Sequence, residues 1–175
     1  MSTYISLLRG INVSGQKKIL MADLKALYEE LGFINVQTYI QSGNVVFGCK
    51  ETTPTQLQKI IFNKIKSHYG FEVPNLILTP NEVEEALNNN PYQDIEKPYF
   101  TFLSENPLQE NIDALNSISF ENEFFELKGN VLYAHYPNGA GRAKMTNNLI
   151  ERKLNVKATT RNLNTTKKLL EMATS

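Results

Sequence analysis

Two halves of this chain carry the same succession of structural signals, and no other feature narrows its fold so far. Tyr4-Ile5-Ser6-Leu7-Leu8 parallels Tyr99-Phe100-Thr101-Phe102-Leu103, and Ser42-Gly43-Asn44-Val45-Val46-Phe47 parallels Lys128-Gly129-Asn130-Val131-Leu132-Tyr133. Self-similarity on this scale implies one supersecondary unit used twice.

In the first half, the apolar run from Tyr4 to Arg9 has strand length, and Met21, Leu24, Leu27, Tyr28 and Leu31 fall at helical spacing. Gly32 stops that helix, and Val36–Ile40 and Asn44–Phe47 read as strands joined through Gln41-Ser42-Gly43. Thr53-Pro54-Thr55-Gln56 is a capping box, in which the threonine hydroxyl and the glutamine amide satisfy backbone N–H groups reciprocally. It opens a helix with Leu57, Ile60, Ile61 and Ile65 on one face, and Phe71–Leu78 follows as a strand interrupted by Pro74. Thr79-Pro80-Asn81-Glu82 is a second capping box, opening a short acidic helix that ends near Asn88-Asn89-Asn90-Pro91.

The second half repeats the order. Tyr99–Leu103 is a strand, Asn106-Pro107-Leu108-Gln109 caps a helix through Leu115, and Phe120–Leu127 and Val131–Tyr136 flank a Lys128-Gly129-Asn130 turn. Thr146–Leu154 is the next helix, Val156–Thr160 a short strand, and Asn164 caps a terminal helix reaching Met172. The fold expected is α+β: two ferredoxin-like βαββαβ halves with mainly antiparallel sheets, over residues 1–79 and 98–175, with a helical connector at 80–97 and a C-terminal helix.

Composition excludes several classes. A single cysteine, Cys49, rules out an internal disulfide, and with only His68 and His135 besides, no Cys/His zinc site can be assembled. Glu82, Glu84, Glu85, Glu121, Glu123 and Glu126 lack the spacing of a calcium loop and read as a solvated face. No apolar run approaches the roughly 20 residues that span a bilayer, so a cytoplasmic protein without a membrane partner is expected. Charge is segregated although the total is zero: Pro137–Lys168 carries eight basic residues against Glu151, a net of +7, while Asn81–Glu126 carries eleven acidic residues against Lys97, a net of −10. A basic surface facing an anionic partner follows from that pattern.

The chemistry is concentrated in loops that lead from strand into helix. From Arg9 to Lys18, Gly10 and Gly15 permit the backbone to turn successive N–H groups toward one point, Arg9, Lys17 and Lys18 add charge, and Asn12 adds an amide. These groups suit a phosphate or carboxylate, although neither the Walker pattern nor the dinucleotide G-x-G-x-x-G is present, and no cofactor is indicated. Gly141, Arg142 and Lys144 form a second such loop, in which Arg142 can hold a planar anion with two parallel hydrogen bonds. Gln41, Ser42 and Asn44 in the first hairpin, and Arg161 and Asn162 at a strand end, complete the candidate binding residues. Ser42 lacks the base and orienting carboxylate of a nucleophile, so amide and hydroxyl recognition is its expected use, and no catalytic residue can be named.

Leu8-Arg9-Gly10-Ile11-Asn12-Val13, Tyr39-Ile40-Gln41-Ser42-Gly43-Asn44-Val45-Val46-Phe47, the run from Tyr136 to Leu154, and Ala158-Thr159-Thr160-Arg161-Asn162 together resemble the bacterial domain-of-unknown-function 1697 family from end to end. The resemblance implies an α+β protein with ferredoxin-like features and names no activity. The chain departs from the family pattern after Asn12-Val13, where Ser14 stands in place of the usual glycine.

Three functions are ranked on this reading. First is a site for a small phosphate- or carboxylate-bearing ligand where Arg9–Asn12, Gln41–Asn44 and Gly141–Lys144 converge, Arg9 and Arg142 sharing it. Nucleic-acid binding comes second, supported by the +7 segment and by strand aromatics but lacking the RNP1 consensus. A homo-oligomeric or partner-binding module, covering apolar sheet faces, is third.

Overall fold

The computed structural model describes residues 1–175. In chain order the elements are β1 (Ser2–Leu8), α1 (Met21–Glu30), β2 (Ile34–Tyr39), β3 (Asn44–Cys49), α2 (Pro54–Tyr69), β4 (Asn75–Leu78), α3 (Pro80–Asn88), β5 (Tyr99–Leu103), α4 (Gln109–Asn116), β6 (Phe124–Lys128), β7 (Val131–His135), a 3-10 turn at Ala140–Arg142, α5 (Asn147–Leu154), β8 (Ala158–Asn162) and α6 (Leu163–Thr174). Two antiparallel sheets result, ordered β2-β3-β1-β4 and β6-β7-β5-β8. The orders are the same when each half is counted from its own first strand, and both are the ferredoxin-like βαββαβ arrangement.

The chain forms two compact units, Met1–Glu84 with Lys168–Ser175, and Glu85–Lys167. Their limits fall inside α3 and α6. Residues 80–84 of the expected connector therefore belong to the first unit and 85–97 to the second.

In the first unit, Leu24, Leu27 and Tyr28 of α1 and Leu57, Ile61 and Ile65 of α2 are buried at helical spacing. They pack with Tyr4, Leu8, Val45, Phe47 and Ile77 from one face of the sheet. Burying each such side chain contributes about 1.5–3 kcal/mol. The one polar intruder, Ser6, is satisfied by the Tyr28 hydroxyl at 2.7 Å. In the second unit, Leu115, Ile150 and Leu154 pack in the same manner on Leu103, Leu132 and Ala134. The opposite sheet faces are buried too, as Ile5, Leu7 and Val46 and as Phe100, Phe102 and Tyr133.

Local chemistry sets the element ends. Both expected capping boxes form: Gln56 N donates to Thr53 Oγ1 at 3.2 Å, and Glu82 N to Thr79 Oγ1 at 3.2 Å. Four expectations shift. β4 begins only after Pro74, which has no N–H to give to a ladder. α4 begins at Gln109 behind Leu108, which makes no side-chain cap bond, so Asn106 does not cap it. β6 begins at Phe124, two residues after Asn122, whose φ of 60° departs from extended backbone. The cap of α6 is Asn162, whose Oδ1 accepts from Thr165 N at 2.8 Å, in place of Asn164.

Candidate functional site

The loop from Arg9 to Leu20 is built on left-handed backbone. Gly10 and Gly15 have φ 75° and 72°, as glycine permits, but Asn12, Ser14 and Lys17 also have positive φ, at 55°, 52° and 48°. Each non-glycine residue held there costs about 1 kcal/mol, and Asn tolerates the region better than Ser or Lys. Ser14, where the resemblance leads one to expect glycine, thus sits in a conformation that glycine takes at least cost. Two backbone bonds close the loop, Asn12 N to Lys17 O at 3.1 Å and Gln16 N to Val13 O at 2.9 Å.

The Asn12 side chain fastens this loop to the first hairpin. Its Oδ1 accepts from Ile19 N at 2.9 Å, and its Nδ2 donates to Ile19 O at 3.0 Å and to Gln41 O at 2.8 Å. Both amide hydrogens are thereby used, so Asn12 positions the loop and has none left for a ligand. Leu8 N donates to Gly43 O at 2.8 Å. A Cβ on Gly43 would lie 2.7 Å from Leu8 Cβ and 2.8 Å from Ile11 Cδ1, at a φ of +92°. Asn44 is buried and donates from Nδ2 to Tyr39 O at 2.8 Å and Ser42 Oγ at 3.0 Å, which holds the turn.

A cavity of about 310 Å³ opens where these pieces meet. Its wall is Asn12, Gly15 and Lys18–Leu20 from the loop, Asp23 from α1, Gln41 from the hairpin and Tyr69 from the end of α2. The structure therefore brings Asn12, Gly15 and Gln41 together and leaves Arg9 and Gly10 outside the wall. Lys17 is also set aside, since its Nζ donates to Glu72 O at 2.7 Å. The lysine of the cavity is Lys18, whose ammonium is exposed and makes no bond within the protein. α1 begins beside it with Leu20 at its N-cap, which offers no side-chain oxygen to the first-turn N–H groups.

Sequence reasoning missed Asp23 and Tyr69. The Tyr69 hydroxyl is buried and has no hydrogen-bond partner in the protein. Burial first, and then the Asp23 carboxylate, push its pKa upward, so the phenol keeps its proton.

The second expected loop lies in the second unit. There Glu123 Oε2 accepts from Lys144 N at 2.8 Å and Oε1 from Met145 N at 2.9 Å. The N–H groups read as an anion cradle hold the protein's own carboxylate, and Glu123 is anchored, contrary to its reading as part of a solvated face. Gly141 and Arg142 stand exposed in the 3-10 turn. Arg161 is buried on β8, donating from Nη1 to Thr159 Oγ1 and Thr160 O at 2.8 Å each, and burial lowers its pKa to about 10. Asn162 is spent on the α6 cap. Cys49 is buried, which pushes its thiol up and away from reactivity. No three His, Cys, Asp or Glu side chains gather closely enough to hold a metal, and no helix is long and apolar enough to cross a membrane.

Fold and cavity define a double ferredoxin-like α+β protein with a loop-walled recess in its first unit. The chain belongs to the family of proteins of unknown function DUF1697, whose pattern matches residues 1–133. The motifs after Val131-Leu132-Tyr133 lie beyond that match. In three dimensions the chain is similar to the conserved bacterial protein SP0830 from Streptococcus pneumoniae, with a TM-score of 0.74, 25% identity and 98% of each chain covered. No curated protein matches the sequence.

Proposed function

We propose that the chain binds a small phosphate- or carboxylate-bearing ligand in the cavity between the Arg9–Leu20 loop, the first hairpin and α2. The observation that carries this reading is the commitment of the surrounding polar groups. Asn12 and Lys17 are consumed in shaping the loop, while the Lys18 ammonium and the Gln41 side-chain amide, both without partners in the protein, are left on the wall. The first-turn N–H groups of α1 add a positive end to the dipole beside Lys18. Left-handed Asn12, Ser14 and Lys17 keep the loop in a shape that local backbone preferences oppose, which is the kind of strain that binding sites retain.

A thermal-shift screen of wild type and Lys18→Ala against nucleotides, sugar phosphates, organic acids and short oligonucleotides tests the reading, because a ligand that binds only the folded state raises its stability. A small anion that raises the melting temperature of wild type and not of Lys18→Ala is the expected result. Stabilisation by oligonucleotides alone, vanishing as salt rises, would replace this reading with nucleic-acid binding.

A further inference from the structure

We infer that the ligand of this cavity carries an ammonium group as well as its phosphate or carboxylate, the ammonium lying against Asp23 and Tyr69 while the oxyanion lies toward Lys18. The inference rests on the anion-binding reading above and adds the second half of the ligand.

The cavity wall carries both signs of charge. Lys18 supplies positive charge, and Asp23, five residues on in the first turn of α1, supplies negative charge. Asp23 has neither an ion-pair partner nor a hydrogen bond in the protein, so its charge is not neutralised from within. A purely anionic ligand in the cavity would meet like charge in that carboxylate. A ligand with a cation beside it turns the repulsion into an ion pair.

The Tyr69 hydroxyl points to the same conclusion. It is buried and unpartnered, a condition that buried polar groups seldom tolerate. Its ring makes an edge contact with His68 at 4.7 Å and stacks on Phe71 at 5.6 Å. A phenol oxygen has lone pairs free for an ammonium, and Asp23 lies near enough to bear on the phenol's ionisation. Leu20 adds an exposed apolar side chain to the same wall. A lysine, a leucine, a carboxylate and a phenol on one wall suit an amino acid or an aminoalkyl phosphate.

The test uses matched pairs that differ only in the amino group: alanine against propionate, and phosphoethanolamine against ethyl phosphate. Calorimetric titration is made into the full chain as wild type, Asp23→Asn and Tyr69→Phe. The amino member of at least one pair should bind wild type about tenfold or more tightly than its partner. Asp23→Asn should erase that preference without weakening the ligand that lacks nitrogen, and Tyr69→Phe should reduce it. Equal affinity within both pairs, with binding intact, overturns this inference and leaves the anion reading standing. Absence of binding by all four, together with silence in the wider anion screen, overturns both.

Discussion

Gly43 and Asn12 show how much of this architecture depends on single side chains. At Gly43 the backbone sits at a φ of +92° with Leu8 and Ile11 pressed against the place a Cβ would occupy. Gly43→Ala must both strain the turn and push the hairpin off β1, and should cost about 3 kcal/mol, read as a lowered urea midpoint at unchanged slope. Asn12 is a different kind of necessity, since an amide in left-handed backbone both accepts from and donates to Ile19 while reaching Gln41. Asn12→Ala leaves the Ile19 N–H without its partner and should cost about 2 kcal/mol. Asn12→Asp keeps that acceptor but sets a carboxylate oxygen against the Ile19 and Gln41 carbonyls, so it should cost at least as much as alanine in the same denaturation experiment. The sequence marks both residues as special, Gly43 as a turn glycine and Asn12 as an amide for a ligand. Their partners are backbone groups of Ile19, Gln41 and Leu8, and no spacing rule reveals which carbonyl will lie opposite an amide once the chain has folded.

At the scale of elements, the order of strands and helices was legible because helical and strand periodicities differ and because two capping boxes announce α2 and α3. The misreadings came where a local rule met a tertiary decision. Asn164 has cap chemistry, but β8 runs on to Asn162, which reaches the helix first. Glu123 read as solvated because its partners, the N–H groups of Lys144 and Met145, come from a loop beyond a whole hairpin. Tyr69 closes a helix far from the loop whose cavity it lines, so nothing nearby in the chain flagged it. α1 presents the opposite case, a helix that omits a cap where one would be favourable. Leu20→Asp should supply it, stabilising the free protein by about 1 kcal/mol and removing an exposed leucine. The same substitution places a carboxylate on the proposed anion site and should abolish ligand-induced stabilisation. A variant that melts higher alone and no longer responds to ligand would be the signature, a trade of binding for stability.

For the whole molecule, buried phenols outweigh buried guanidinium in setting the alkaline limit. Burial and Glu126 push Tyr133 up to about 12, and burial raises Tyr28 and Tyr136 further. Below about pH 10 folded and unfolded phenols alike are protonated and their contribution is complete. As pH climbs from there toward 12, the unfolded phenol ionises while the folded one holds its proton, and stability is lost. Arg161 acts in the other direction, since its folded pKa of about 10 lies below the unfolded value and the cost of burying its charge is relieved across the same window. Three tyrosines against one arginine give a melting temperature that falls between about pH 10 and 12, and fewer than all eight tyrosines should titrate before the chain unfolds. The division of the chain also has a bearing on its synthesis. Residues 168–175 belong to the unit formed by residues 1–84, yet the ribosome adds them only after all of 85–167. The first unit therefore leaves the exit tunnel lacking its last segment and must wait for it. Nascent chains arrested before Lys168 should be more open to protease in their N-terminal half than the released protein.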